Sequence, residues 1–64
     1  MNKKEIKLYV LEKLKQQDFA TWALAGQLKL STPKIRLIMI ELENSGLVNR
    51  SRMGNVNNIV WKLN

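Results

Sequence analysis

The sequence predicts a small α+β domain, mostly α, in which three helices precede a two-stranded β-hairpin. Three observations carry that expectation. Apolar residues recur at helical spacing in three consecutive stretches. Capping and turn residues separate those stretches. After Gly46 the apolar residues become β-branched or aromatic and flank a run rich in Asn and Gly. With 64 residues, the chain is expected to form one domain over 1–64, near the lower size limit for a fold without disulfides or metals.

The first helix is predicted from Lys3 to about Gln17. Ile6, Val10 and Leu14 stand at four-residue spacing, Leu11 widens the stripe, and Lys13 and Lys15 suit the negative end of the helix dipole. Tyr9 is expected to be half-buried and is given no role. The next start signal is Thr21, whose hydroxyl is read as the cap of a helix beginning at Trp22 and stopping near Lys29. Leu24, Ala25 and Leu28 share its inner face; Gly26 is either a tolerated weak point or a place where another helix passes closely. Ser31-Thr32-Pro33 then reads as a fresh N-terminus, with a hydroxyl cap and a proline in the first turn. The third helix is predicted from Pro33 to about Asn44, with Ile35, Met39 and Leu42 inward and Gly46 as the left-handed stop. Leu47-Val48 and Ile59-Val60-Trp61 form the hairpin strands around the turn-rich run from Met53 to Asn58. Ile59, Trp61 and Leu63 share one face, with Trp61 in the core.

Composition narrows the function. Eleven Lys and Arg against five Asp and Glu give a net charge of +6, and the chain has neither Cys nor His. Zinc sites of the usual kind cannot be built, no thiolate nucleophile exists, and the commonest general base is missing. These absences argue for a binding module that needs no cofactor, not for an enzyme. A core this small also leaves little room for a ligand pocket of the usual ~300 Å³ or more. The longest uncharged run, Phe19 to Leu28, is too short to cross a bilayer, and no leader pattern opens the chain, so no membrane role and a cytoplasmic location are expected. The surplus of cations points to a polyanion, with nucleic acid first.

The spacing from Thr21 onward resembles the winged helix-turn-helix family. Leu24-Ala25 stands three residues after the hydroxyl, and Ser31, Ile35, Met39, Leu42-Glu43 and Gly46-Leu47-Val48 follow in the family's places. The likeness covers about two-thirds of the chain, and the strand ending Val60-Trp61-Lys62-Leu63 extends it. Within the family the chain looks most like the small PapI/FaeA-type pilus-operon regulators. That finer likeness rests on Arg36 before an apolar run, Leu42-Glu43, Gly46, Val48, Arg50-Ser51 and Trp61. A phage or plasmid regulator of the same architecture fits equally. Binders of Z-form nucleic acid share the layout, but Arg36 and Ile40 stand where they have Asn and Tyr, and paired prolines before Trp61 are absent.

What the resemblance implies is a bacterial or phage transcription regulator that reads double-stranded DNA. The third helix would enter the major groove N-terminal end first. Arg36 is the candidate for a guanine edge, Lys34 for a phosphate, and Ser31 and Thr32 for a phosphate contact or a cap. Arg50 and Arg52 would lead to a wing tip at Gly54-Asn55, with Asn55 beside the flanking backbone or minor groove. The remaining cations of the first helix, Lys3, Lys4, Lys7, Lys13 and Lys15, are assigned to solubility or long-range steering.

The outward face of the third helix is unusual for that purpose. Pro33, Leu37, Ile40 and Asn44 lie opposite the core stripe, and Glu41 is expected to repel phosphate. Leu37 could meet a thymine methyl. Alternatively Leu37 and Ile40 form a protein-binding patch, for a second DNA-bound protein or for a homodimer, and the chain is then an interaction module on a winged-helix scaffold. A third account is that the first helix buries more of this face. Trp22 is either a further exposed anchor of such an interface or, the preferred reading, packed on Phe19.

Overall fold

The computed structural model describes residues 1–51 and 59–64. Among them, helix α1 spans Lys3–Leu14, strand β1 Phe19–Ala20, helix α2 Thr21–Leu28, helix α3 Thr32–Asn44, strand β2 Val48–Arg50 and strand β3 Val60–Leu63.

α1 starts with a reciprocal capping box. The Glu5 amide donates to Asn2 Oδ1 at 2.8 Å, and the Asn2 amide donates to Glu5 Oε1 at 3.1 Å, so two otherwise unpaired N–H groups are satisfied. The helix stops at Leu14, three residues short of expectation. The stripe Ile6, Val10, Leu14 would next need an apolar residue at 17 or 18, and Gln17 and Asp18 are exposed polar residues. Nothing there repays continued ordering.

The stretch after α1 holds an element the sequence does not announce. Phe19 and Ala20 form β1 and pair antiparallel with β3, Phe19 opposite Trp61 and Ala20 opposite Val60. β2 pairs on the other side, Val48 opposite Leu63 and Arg50 opposite Trp61. The hairpin is thus part of a three-stranded antiparallel sheet, ordered β1-β3-β2.

Thr21 corrects a second expectation. It is the first residue of α2, not its cap, and its side chain makes no capping bond. Instead the buried hydroxyl donates to the Ile59 carbonyl at 3.1 Å and accepts from Trp61 Nε1 at 2.7 Å, while the Thr21 amide donates to the same carbonyl at 2.9 Å. This fastens the start of α2 to the root of β3. α2 ends with Lys29 in the left-handed region (φ 57°) and a bond from the Leu30 amide to the Ala25 carbonyl at 3.0 Å, a sharp stop that a Lys makes here where Gly is usual. Gly26 is exposed, and a Cβ there would meet nothing within 4 Å. The close-approach account of this glycine therefore fails.

α3 follows almost at once. Ser31 is its cap, with Oγ accepting from the Lys34 amide at 3.3 Å, and Pro33 sits in the first turn. Gly46, with φ 79°, ends the element as predicted, and the Leu47 amide returns to the Leu42 carbonyl at 3.0 Å. The core unites Ile6, Val10 and Leu14 of α1, Leu24 and Ala25 of α2, Ile35, Ile38, Met39 and Leu42 of α3, and Val48, Ile59 and Trp61 of the sheet region. Ile38 was not among the predicted inward residues. It is buried because α1 packs on that flank of α3, which widens the stripe by one position.

Candidate nucleic-acid interface

At 100° per residue, the buried stripe Ile35, Ile38, Met39 and Leu42 fixes the outward face of α3 on Pro33, Leu37, Ile40 and Asn44. Lys34 and Glu41 then lie on the flank toward α1. Arg36 and Glu43 lie on the opposite flank, toward β2. Burial agrees with this projection. Leu37 is 64% exposed, Pro33, Lys34 and Asn44 are exposed, and Arg36 and Ile40 are half-buried. The account in which α1 covers the outer face fails at Leu37.

Both carboxylates of α3 are occupied by cations from neighbouring elements. Glu41 meets Lys3 Nζ at 2.7 Å and Lys7 Nζ at 3.1 Å, both from α1. Glu43 Oε2 meets Arg50 Nε at 3.0 Å, from β2. Glu41 therefore does not stand as an open repeller of phosphate, and Lys3 and Lys7 are more than solubilising charge. With both acids neutralised, Lys34 and Arg36 set the charge of the helix.

The ammonium hydrogen bonds of Lys3, then of Lys7, hold the Glu41 carboxyl below the ordinary carboxylate range. A carboxyl depressed in the folded chain adds stability above its unfolded value, and that stability is lost as pH falls through the folded value. Glu41→Gln is thus expected to lower the urea midpoint modestly at neutral pH, with the gap to the parent closing as the pH falls through the lowered value of the folded carboxyl. A gap that persists unchanged in acid would contradict the charge origin of the effect.

Arg50 ends β2, and its side chain turns toward α3, bonds Glu43, and lies with its guanidinium carbon 5.4 Å from the centre of the Trp61 ring. The register explains this. Arg50 and Trp61 are directly opposed, and Val48, two residues away on the same face, is buried. Arg52 and Asn55, the other two wing candidates, lie outside the described residues.

The remaining candidates are on the page as follows. Ser31 is exposed, with its hydroxyl used as the cap, and Thr32 is half-buried behind it. Ser31, Thr32, Lys34 and Arg36 are therefore brought together at the first two turns of α3. Trp22 is 61% exposed, while Phe19 packs against the core; the packed reading of Trp22 is replaced by the exposed one. Between α1 and α3 a shallow groove of about 240 Å³ is lined by Met1, Lys3, Ile6, Lys34, Leu37, Ile38 and Glu41. The pairing of Lys3 and Lys7 with Glu41, and of Arg50 with Glu43, was missed in the sequence, since only tertiary packing brings α1 and β2 onto α3.

No protein-family model matches the chain, and no curated protein matches it. Solved structures do. It is similar to a ZitR variant from Lactococcus lactis in its apo form, with 22% identity over 98% of this chain and 48% of that one, at a TM-score of 0.83. The transcriptional regulator BldR from Sulfolobus solfataricus gives 18% identity over 94% of this chain and 44% of that one, TM-score 0.83. A ZitR variant in complex with DNA gives 23% identity over 92% and 41%, TM-score 0.79; ZitR is described as a zinc-responsive MarR family member. The chain spans less than half the length of each of these proteins. What they share with it is the backbone path of three helices and a β-hairpin, and the chain has the winged-helix fold.

Proposed function

We propose that the chain is a small DNA-binding transcription regulator that places α3 in the major groove of double-stranded DNA. The observation that carries this reading is the charge arrangement on α3, where both acids are drawn sideways into ion pairs and Lys34 and Arg36 remain beside the capped N-terminus. The positive end of the helix dipole with flanking cations suits phosphate, and the apolar outer face with Leu37 suits thymine methyls. The DNA complex of ZitR supports the reading by likeness of fold. The zinc response of that protein is not carried over, because this chain has no Cys or His. Action in the cytoplasm, as a PapI/FaeA-type, phage or plasmid regulator, belongs to the same proposal.

Binding to a random duplex pool across salt tests it. About 3–6 phosphate contacts correspond to a log–log slope of about −3 to −5. Absence of binding at low salt would sink the proposal. The exposure of Leu37 and Trp22 favours one further reading, an interaction surface for a second DNA-bound protein that uses Leu37, Ile40 and Trp22. If Leu37→Asp abolishes function in a folded protein while Arg36→Ala does not, this second reading replaces the first.

A further inference from the structure

Two ammonium groups share one carboxylate on the α1 side of α3. Lys3 Nζ stands 2.7 Å from one oxygen of Glu41 and Lys7 Nζ 3.1 Å from the other, so a single negative charge answers two positive ones. Glu5, the other acid at this end of α1, projects from the opposite side of the helix and accepts from the Asn2 amide. Lys34 adds a third cation. It lies on the flank of α3 that carries Glu41, two turns nearer the helix start, and among the described residues it joins no ion pair. Lys3, Lys34 and Glu41 line the shallow groove between α1 and α3, with the buried Ile6 and Ile38 as its floor. Lys3, Lys7 and Lys34 against Glu41 leave this corner with an excess of two positive charges. On the opposite flank Arg36 and Arg50 against Glu43 leave one, and Glu12 and Lys15 cancel each other.

We propose that Lys3 and Lys7 of α1 form, together with Lys34, a track for the phosphodiester backbone of bound duplex DNA, with Glu41 as the group that holds the two α1 ammoniums in place. The inference rests on the reading of α3 as the groove-entering helix and extends the interface to a second element. Shape selects the ligand. The cations follow the α1 flank of α3 for about 10 Å, the length of two helical turns, along an open groove and not around a closed pocket. A chain of phosphates matches such a track, whereas a single small anion would need donors converging on one point. The carbon floor under the groove strengthens the field of the charges above it. Lys3 is exposed and Lys7 half-buried, so a phosphate oxygen can reach one ammonium while Glu41 keeps the other. Lysine is a mobile point charge, suited to positioning the backbone and not to reading bases. The strand that passes along α1 would fix the depth and angle at which Arg36 and Leu37 meet the base edges.

Fluorescence anisotropy of a random duplex pool, titrated with the whole chain across salt, tests the track, with circular dichroism to verify the fold of each variant. Glu41→Gln is expected to tighten binding a few-fold, because no carboxylate then competes for the ammoniums. In that background Lys3→Gln and Lys7→Gln are each expected to weaken binding several-fold at low salt and to reduce the log–log slope by about 1. Lys3→Arg and Lys7→Arg, which keep the charge, are expected to keep both affinity and slope. Lys13→Gln removes the same charge about 15 Å further along α1 and is expected to leave the slope unchanged. If Lys3→Gln and Lys7→Gln weaken binding only while Glu41 is present, they merely mask that acid and the track is overturned. It is equally overturned if Lys13→Gln changes affinity and slope as much as they do, since the effect is then overall charge. Loss of binding on Lys34→Ala with no change on Lys3→Gln or Lys7→Gln overturns the track and leaves the DNA-binding reading standing. A parent that binds no duplex overturns both.

Discussion

Trp61→Ala is expected to leave the domain largely unfolded at 25 °C. The ring is 0% exposed and sits on the central strand, opposite Phe19 on one side and Arg50 on the other. Removing such a side chain typically costs about 3–5 kcal/mol. A chain of this size holds only about 3–10 kcal/mol in total, at the usual ~0.05–0.15 kcal/mol per residue, so the loss is comparable to the whole. The indole also anchors α2 through the 2.7 Å bond to Thr21. Thr21→Val isolates that part, because it keeps the shape but leaves the Trp61 N–H buried without an acceptor, at about 1–3 kcal/mol. Urea titration followed by far-ultraviolet dichroism measures both variants. Thr21→Val should cost clearly less in a Trp61→Phe background, where no N–H is left orphaned. Equal costs in the two backgrounds would show that the hydroxyl contributes through its bond to the Ile59 carbonyl and through packing, not through the indole.

That Thr21–Trp61 bond also marks where reading along the chain runs out. A Thr before an apolar helix is a fair cap signal, because nothing local reveals that its hydroxyl will be claimed by an indole forty residues away. Fold class and helix faces were legible, since Ile6/Val10/Leu14 and Ile35/Met39/Leu42 repeat at a period that only a helix satisfies. Ser31 and Gly46 were legible too, because caps and left-handed stops depend on local backbone geometry. β1 was not, as two residues cannot display alternation and Phe19-Ala20 is a strand only through β3. The electrostatics of α3 were the least legible. Glu41 looks repulsive in sequence, and it takes α1 and β2 in place to bring Lys3 and Lys7 onto it and Arg50 onto Glu43. Trp22 was misjudged for a related reason. Aromatics are more often packed than exposed, and only the placement of α2 turns this one outward.

Arg36→Ala is expected to weaken binding to the preferred duplex about 10- to 100-fold and to relax the preference at one position, as loss of a bidentate guanine contact would. Lys34→Ala should weaken all duplexes alike and reduce the salt slope by about 1. Arg50 provides the contrast that separates contact from support. Its guanidinium is engaged by Glu43 and lies against Trp61, so Arg50→Ala acts by releasing Glu43, two helical turns along the same flank as Arg36. An unpaired carboxylate there opposes phosphate across a short distance. Arg50→Ala should therefore weaken binding to every duplex, and adding Glu43→Gln should recover most of that loss. If Glu43→Gln recovers nothing, Arg50 is itself a DNA contact and its pairing with Glu43 must open on binding. If Arg36→Ala weakens all duplexes equally, Arg36 touches phosphate only, and sequence discrimination on α3 passes to the methyl-contacting face around Leu37.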